Sequence, residues 1–266
     1  MEKIFFEVLS SEKSIKEIKA SVAECGFDEY DAIIAYLSSD ARKAVQTLCS
    51  QLVKRKKVHE QECERMLMMY RYENELKRKG FKWIAGIDEV GRGPLIGPVV
   101  AAAVILDDET DYFGIDDSKK LTAEKRAQFH AKIIQNAVGY GIGMASHDEI
   151  DEINILNATK LAMKRAVEAL KKSVAPEYLL IDALKLDDIP IKQLNIIKGD
   201  EKSASIAAAS IVAKVTRDAL MQTIHEAYPH YGFNTNMGYG TDLHYDGIRK
   251  YGVTPFHRKS FLKNFK

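Results

Sequence analysis

The sequence predicts an α/β protein: a five-stranded mixed sheet flanked by helices, preceded by a small all-helical region. Three observations predict it. Before Gly80 the apolar residues recur at helical spacing with almost no glycine or proline to interrupt them. From Phe81 onward, short apolar runs bounded by Gly, Pro and Asp alternate with longer helix-periodic stretches. Three of the runs come early and the rest alternate with helices, which suits a mixed sheet with helices on its faces.

Taken in order, Ile15, Ile18 and Val22 keep helix spacing until Gly26, and Ile33, Ile34 and Leu37 repeat it after the candidate cap Asp28. Residues 40–79 contain no Gly or Pro. Val45, Leu48 and Leu52 form one apolar stripe there, and Met66, Leu67, Met69 and Tyr70 form another. A helix that long predicts a break or a protrusion. Between the stripes, Lys54, Arg55, Lys56 and Lys57 read as a solvated face, with contact to a nucleic-acid backbone as the alternative. Residues 1–80 are therefore expected as a helical extension and 81–266 as a second domain with a C-terminal helical segment. Within the latter, strands are expected at 83–88, 99–106, 140–146, 178–182 and 194–197, and helices at 122–136, 155–172 and 203–228.

The composition, 46% hydrophobic and 29% charged, is that of a soluble globular chain, and a net charge of +1 carries no global signature. A nucleic-acid partner has to be argued from local charge. Such a bias lies in residues 247–266, where Arg249, Lys250, Arg258, Lys259, Lys263 and Lys266 occur without an acid, so this segment reads either as a phosphate-facing surface or, equally on charge alone, as a solvated basic tail. The aromatics Tyr251, Phe256, Phe261 and Phe265 argue that part of it packs. Cys25, Cys49 and Cys63 form neither a disulfide framework nor a thiolate metal set. The N-terminus lacks a leader pattern and no apolar run is long enough to span a bilayer, so a cytoplasmic location is expected.

The stretch 83–106 carries the chemistry. Its first apolar run ends in Asp88 and Glu89, followed by Gly91, Arg92, Gly93, Pro94, Gly97 and Pro98 before the next run. Carboxylates at a strand end beside glycines, whose missing side chains let backbone amides approach a ligand, suggest metal and phosphate together. Hydrolysis of a phosphodiester needs an activated water and charge stabilisation on both the attacking and leaving oxygens, which two divalent ions about 4 Å apart provide. Mg²⁺ or Mn²⁺ takes hard oxygen ligands, so acids at strand ends are the expected set. Asp182 ends the run 178–181 and Asp200 follows the fifth strand. Neighbours on a regular strand point to opposite faces, so Asp88 and Glu89 are expected to share a site only if the chain turns at Glu89.

The segment GIDEVGRGPLIGPVV resembles the opening motif of the ribonuclease HII family, the type 2 ribonucleases H. The likeness continues through DSKKL at 117–121, LLIDA at 179–183, GDEKSASIAAASIVAKVTRD at 199–218 and GYGTDLHYDGIRKYGVTPFHRKSF at 238–261, in the same order. It implies a ribonuclease H-like fold and a metal-dependent endoribonuclease. Its substrates would be the RNA strand of RNA/DNA hybrids and single ribonucleotides in duplex DNA, cut on the 5′ side to leave a 3′-hydroxyl and a 5′-phosphate. Residue by residue it implies that Asp88, Glu89, Asp182 and Asp200 are catalytic and ligate metal, with Glu201 and Asp218 as sequence competitors for the fourth place. It further implies that the main chain of Gly91, Arg92 and Gly93 reads a 2′-hydroxyl while the Tyr239 ring packs on the next sugar. Lys119 and Lys214 are candidate phosphate contacts, with structural roles as the alternative. His244 and His257 read as hydrogen-bonding loop residues, with proton shuttling the alternative. Serines and alanines in SASIAAAS read as close helix packing. The rivals are a ribonuclease HIII-like nuclease, against which the intact Gly-Arg-Gly stands, and a non-catalytic nucleic-acid-binding protein, against which the four acids stand. The N-terminal helices read as a contact for a protein partner or for additional duplex.

Overall fold

The computed structural model describes residues 13–263, so the expectations for residues 1–12, Phe265 and Lys266 lie outside the described residues. The chain divides into two compact units, residues 1–65 and 66–266.

The described part of the first unit is helical. Helix α1 (Ile15–Ala23) starts at Ser14, whose hydroxyl accepts the Glu17 N–H while Glu17 reaches back to the Ser14 N–H, so two otherwise orphaned amides are satisfied. A 3₁₀ turn at Phe27–Glu29 leads into α2 (Tyr30–Ser38), and α3 runs over Lys43–Met69. Ile18, Val22, Ile33, Leu37, Val45, Leu48 and Leu52 form one buried cluster, as their helical spacing predicts. Within the basic run, Lys56 pairs with Asp31 and Glu60.

The long helical stretch does break: α3 ends at Met69 and α4 (Arg71–Arg78) follows Tyr70. Beyond it lie β1 (Ile84–Val90), β2 (Val99–Ile105), α5 (Ala123–Asn136), β3 (Gly139–Ala145), α6 (His147–Leu170), β4 (Tyr178–Asp182), β5 (Lys192–Ile196), α7 (Ala204–Ala227), the single turn α8 (Phe233–Asn236) and α9 (Asp242–Tyr251). The sheet order is β3-β2-β1-β4-β5. The first three strands pair antiparallel, and β1/β4 and β4/β5 pair parallel, the mixed sheet expected.

Both faces of the sheet are covered, which is why β2, VVAAAVI, is apolar throughout and fully buried. Val99, Ala101 and Ala103 pack with Ala162, Ala166 and Leu170 of α6, and Val100, Ala102 and Val104 pack with Ala208, Ile211 and Val212 of α7. Small residues set the spacing. A Cβ at Gly141 or Gly143 would overlap backbone atoms of α6, and one at Gly86 would overlap the Ser205 backbone at the start of α7. Helix α6 begins earlier than its periodicity predicts, because Ser146 and Glu149 form a capping box at its start. Asn154, at φ 67°, then kinks it one residue before Ile155, where the sequence reading placed its start.

Candidate active site

Strand pairing aims the acids. Ile87 and Ile181 are register partners packed on the α6 side, so their successors Asp88 and Asp182 face α7. Glu89 falls on the opposite face, yet one carboxylate oxygen each from Asp88, Glu89 and Asp182 lies within 4.8 Å of the others. The turn expected at Glu89 is absent, since β1 continues paired with β2 to Val90. The three acids meet where the β1/β4 ladder ends, at the residues directly after the last register pair, Ile87 and Ile181. Ala183, directly after Asp182, takes a left-handed φ of 51° and turns the chain off the sheet.

The cluster is electrostatically strained. Burial, then the charges of Glu89 and Asp182, push the Asp88 carboxyl well above its ordinary pKa, against a hydrogen bond from Ser210 that favours the anion. Burial raises Glu89 as well. Glu89 Oε2 is buried with no hydrogen-bond partner among the described residues, while Oε1 meets Arg92 Nη1 at 3.3 Å. An orphaned carboxylate oxygen among other carboxylates, with neither Cys nor His in the cluster, fits a hard divalent cation.

Asp200 sits in a 3₁₀ turn, Gly199–Glu201, entered through Lys198 in a left-handed conformation. The Gly199 N–H donates to Asp182 Oδ1 at 2.6 Å, which ties this turn to the end of β4. Asp200 lies outside the tight triad, but burial and then Asp117 and Asp182 raise its pKa to about 6. Lys119 Nζ stands 3.8 Å from Asp200 and 3.9 Å from Asp117. Its partial burial disfavours the charge, yet Asp117, Asp88, Asp200 and Asp182 raise its pKa overall. Of the competitors, Glu201 meets Lys120 and Asp218 pairs with Lys214 at 2.5 Å, so Asp218 is engaged in an ion pair along α7 and Lys214 is already neutralised.

Beside the acids, Gly91 has φ 92°, and a Cβ there would overlap Arg217 Nε. A Cβ at Gly93 would stand 3.2 Å from Tyr239 Cε1, so the half-exposed tyrosine ring borders the Gly-Arg-Gly tip. The Leu95 N–H donates to the Gly238 carbonyl, which joins the two loops. Arg92 and Gly93 are exposed and Gly91 is buried.

In the C-terminal basic segment Arg249, Lys250, Lys259 and Lys263 are exposed as expected, and Arg258 departs from the surface role. Arg258 is 0% exposed, its guanidinium spent on backbone carbonyls beneath the Gly-Arg-Gly loop, whereas Lys259 remains exposed. Charge composition cannot register burial, and five donors on one planar group let carbonyls replace water. The histidines are buried together: His244 Nε2 and His257 Nε2 are 3.0 Å apart. Sequence reasoning missed Asp117, Ser210 and Arg217 as neighbours of the site. Asp117 lay in DSKKL beside the lysine singled out there, whereas Arg217 stands among Lys214, Asp218 and Glu226 of the same helix and gave no signal of its own.

The sequence model of the family described as Ribonuclease HII matches residues 85–264, and that of the Ribonuclease HII N-terminal domain matches residues 14–77. The second match extends the likeness into the helical region, which the motifs left uncovered. Ribonuclease HII of Clostridioides difficile (strain 630) is 50% identical over 253 residues, 95% of this chain and 98% of that protein. Ribonuclease HII of Bacillus anthracis is 53% identical over 233 residues, 88% and 90% of the two chains. Among solved structures, ribonuclease H2 of Pyrococcus horikoshii OT3 is 28% identical with a TM-score of 0.55, over 67% of this chain and 93% of that one. Ribonuclease HII of Archaeoglobus fulgidus, solved in complex with PCNA, is 27% identical with a TM-score of 0.57, over 69% and 95%. No helix among the described residues is long and apolar enough to cross a membrane. Half the residues are shared with relatives over nearly their whole length, on a sheet that gathers carboxylates at its strand ends, and the chain belongs to the ribonuclease HII family of metal-dependent endoribonucleases acting on RNA/DNA hybrids.

Proposed function

We propose that Asp88, Glu89, Asp182 and Asp200 are the catalytic carboxylates and the ligands of Mg²⁺ or Mn²⁺, two ions when substrate is bound. The observation that carries this is the convergence of three carboxylates, one bearing an orphaned buried oxygen, beside an exposed glycine-rich tip. Divalent ions bound there supply an activated water and offset charge on the attacking and leaving oxygens. The chain's own part is to fix the acids: Ser210 orients Asp88, Gly199 N–H holds Asp182, and Lys119 balances Asp200.

Substrate choice is assigned to Gly91, Arg92 and Gly93 at the 2′-hydroxyl and to Tyr239 at the following sugar, with Lys119 and Lys214 toward phosphates, the latter by leaving Asp218. The enzyme then cuts on the 5′ side of a single ribonucleotide embedded in duplex DNA and leaves a 3′-hydroxyl and a 5′-phosphate. The residues before Phe81 act as an appended module in the cytoplasmic enzyme, for a protein partner or additional duplex. The exposed Lys54, Arg55 and Lys57 favour that role.

End-labelled duplexes carrying one or four ribonucleotides test this reading in parent and Tyr239→Ala. A rate loss of roughly tenfold or more is expected on the single ribonucleotide, with Mn²⁺ affinity unchanged, because the ring positions substrate rather than ions. Equal rates and cut sites would remove Tyr239 from recognition, and a parent inactive on the single ribonucleotide would refute the junction reading.

A further inference from the structure

Two guanidinium groups lie fully inside the second unit without a carboxylate. Arg217 is 1% exposed and Arg258 is 0% exposed, and no acid among the described residues forms an ion pair with either. Burial and, for Arg258, the neighbouring Arg217 lower their pKa values to about 10 and about 9, still above neutral pH, so both carry charge.

Their donors converge on one loop. Arg258 Nη2 donates to the Gly91 carbonyl at 2.6 Å, Nη1 to those of Arg92 and Pro94 at 3.0 and 2.7 Å, and Nε to Gly97 at 2.9 Å. Its own N–H donates to the Leu95 carbonyl. Arg217 Nη2 donates to Ile96, Nε to Pro98, and Nη1 to Met237 in the loop that leads to Tyr239. From Gly91 to Pro98, every carbonyl except that of Gly93 is therefore turned inward onto these two residues.

Peptide planarity makes this consequential. In a trans peptide the carbonyl of one residue and the N–H of the next point in opposite directions, and the described residues contain no cis bond. Pulling the Gly91 and Arg92 carbonyls inward drives the N–H groups of Arg92 and Gly93 outward. The amides of Leu95 and Gly97 are taken by Gly238 and Phe256, whereas Arg92 and Gly93 lie exposed at the tip with no backbone acceptor for theirs among the described residues. The two buried charges behind the tip add a positive field at those amides.

We propose that Arg217 and Arg258 are positioning residues that hold the Arg92 and Gly93 amides outward as a preformed donor pair for the ribose hydroxyl and phosphate of the substrate. The inference rests on the Gly-Arg-Gly tip facing substrate, as proposed above. It also gives a reason for Gly91: any side chain there would occupy the place of the Arg217 guanidinium.

Arg258→Lys and Arg217→Lys keep the charge and lose the planar fork. Steady-state cleavage of a duplex with one ribonucleotide, Mn²⁺ titration and thermal unfolding are compared across both variants, the parent and Gly93→Ala. In each folded lysine variant KM is expected to rise at least tenfold while Mn²⁺ affinity stays within about twofold. Parental KM in a folded lysine variant, or loss of Mn²⁺ affinity in step with activity, would overturn the proposal. Gly93→Ala separates the two readings, because its Cβ intrudes toward Tyr239 without touching either arginine. Parental kinetics in Gly93→Ala would refute the substrate-facing tip itself, whereas an impaired Gly93→Ala beside unimpaired lysine variants would refute only the positioning role. Should the lysine variants not fold, amide exchange decides in an Asp182→Asn chain, which leaves duplex uncut. Bound duplex should slow the Arg92 and Gly93 amides, and unchanged exchange there overturns the proposal.

Discussion

Asp88 has been taken out of water among like charges, so its proton affinity reports how much the site lacks a cation. Its folded pKa is raised above the unfolded value, hence the folded metal-free chain binds the extra proton. Stability from this group is present below about pH 3.9 and is lost as pH rises through the folded pKa. Asp88→Asn should accordingly cut turnover at least ~10²-fold and raise the melting temperature of metal-free protein, while abolishing the further rise that Mn²⁺ gives the parent. An undiminished Mn²⁺ response in the variant, read by scanning fluorimetry, would take Asp88 out of the metal site. His257 has the opposite sign. Its Nδ1 accepts the Thr254 N–H, so the neutral ring donates from Nε2 to His244 Nε2, and His244 Nδ1–H donates to the Tyr239 carbonyl. Burial and then His244 lower the His257 pKa to about 4, so the unfolded chain takes up the proton first, near 6.5. Stability is full above about pH 6.5 and falls as pH drops toward 4, with a slope of up to ~1.4 kcal/mol per pH unit. Denaturant unfolding across that window should show a shallower slope in His257→Gln, and identical slopes would count against the neutral pair. The acids were legible because a carboxylate closing an apolar strand has few other uses. Arg258 was not, because HRKS looks the same whether its cation meets water or four inward-facing carbonyls.

Among the elements, α7 matters most to the site, since one helix carries Ser210 toward Asp88, Arg217 toward the loop and, at its start, the serines next to Asp200. Its approach to β1 is set by Gly86, where an added methyl would meet the Ser205 backbone rather than a movable side chain. Gly86→Ala should therefore cost about 1–3 kcal/mol by overpacking and lower kcat by displacing Ser210, measurable by urea unfolding and single-turnover cleavage. Parental stability would mean that the helix can slide away freely. This closeness was legible in SASIAAAS, whose alternation of small residues suits a helix pressed against a strand. The start of α6 was also written in the sequence, as Ser146 followed by Glu149, but apolar periodicity resumes only after Asn154 and drew the expected start there. A side-chain cap marks a helix end more sharply than periodicity does.

For the whole molecule, periodicity puts a boundary at Gly80, where helical spacing gives way to strands, while backbone packing divides the chain between Arg65 and Met66. The difference is α4. Glu73, in that helix, is buried, and its Oε1 accepts from the Ser203 hydroxyl and from the Ser205 hydroxyl and N–H, satisfying the start of α7 directly after the Asp200 turn. Leu76 packs with Ile84, Leu180, Ile196 and Ile206. Neither role was legible, because a glutamate in YRYENELKRKG reads as one more solvated charge until its partners, 130 and 132 residues away, are known. A negative group at a helix N-terminus is favoured by the dipole, and its removal leaves buried donors unpaired. Two truncations weigh the boundaries. A chain starting at Met66 keeps Glu73 and Leu76 and should unfold within a few degrees of the same unit in the parent, with the same kcat. A chain starting at Phe81 loses both contacts, at a cost of about 3 kcal/mol or more, which lowers the melting temperature of a unit this size by roughly 10 °C. Because the unsupported end of α7 adjoins Asp200, its kcat should fall while Arg92 and Tyr239 keep KM near parental. Equal melting temperatures for the two truncations would show that α4 belongs energetically with the helices before it.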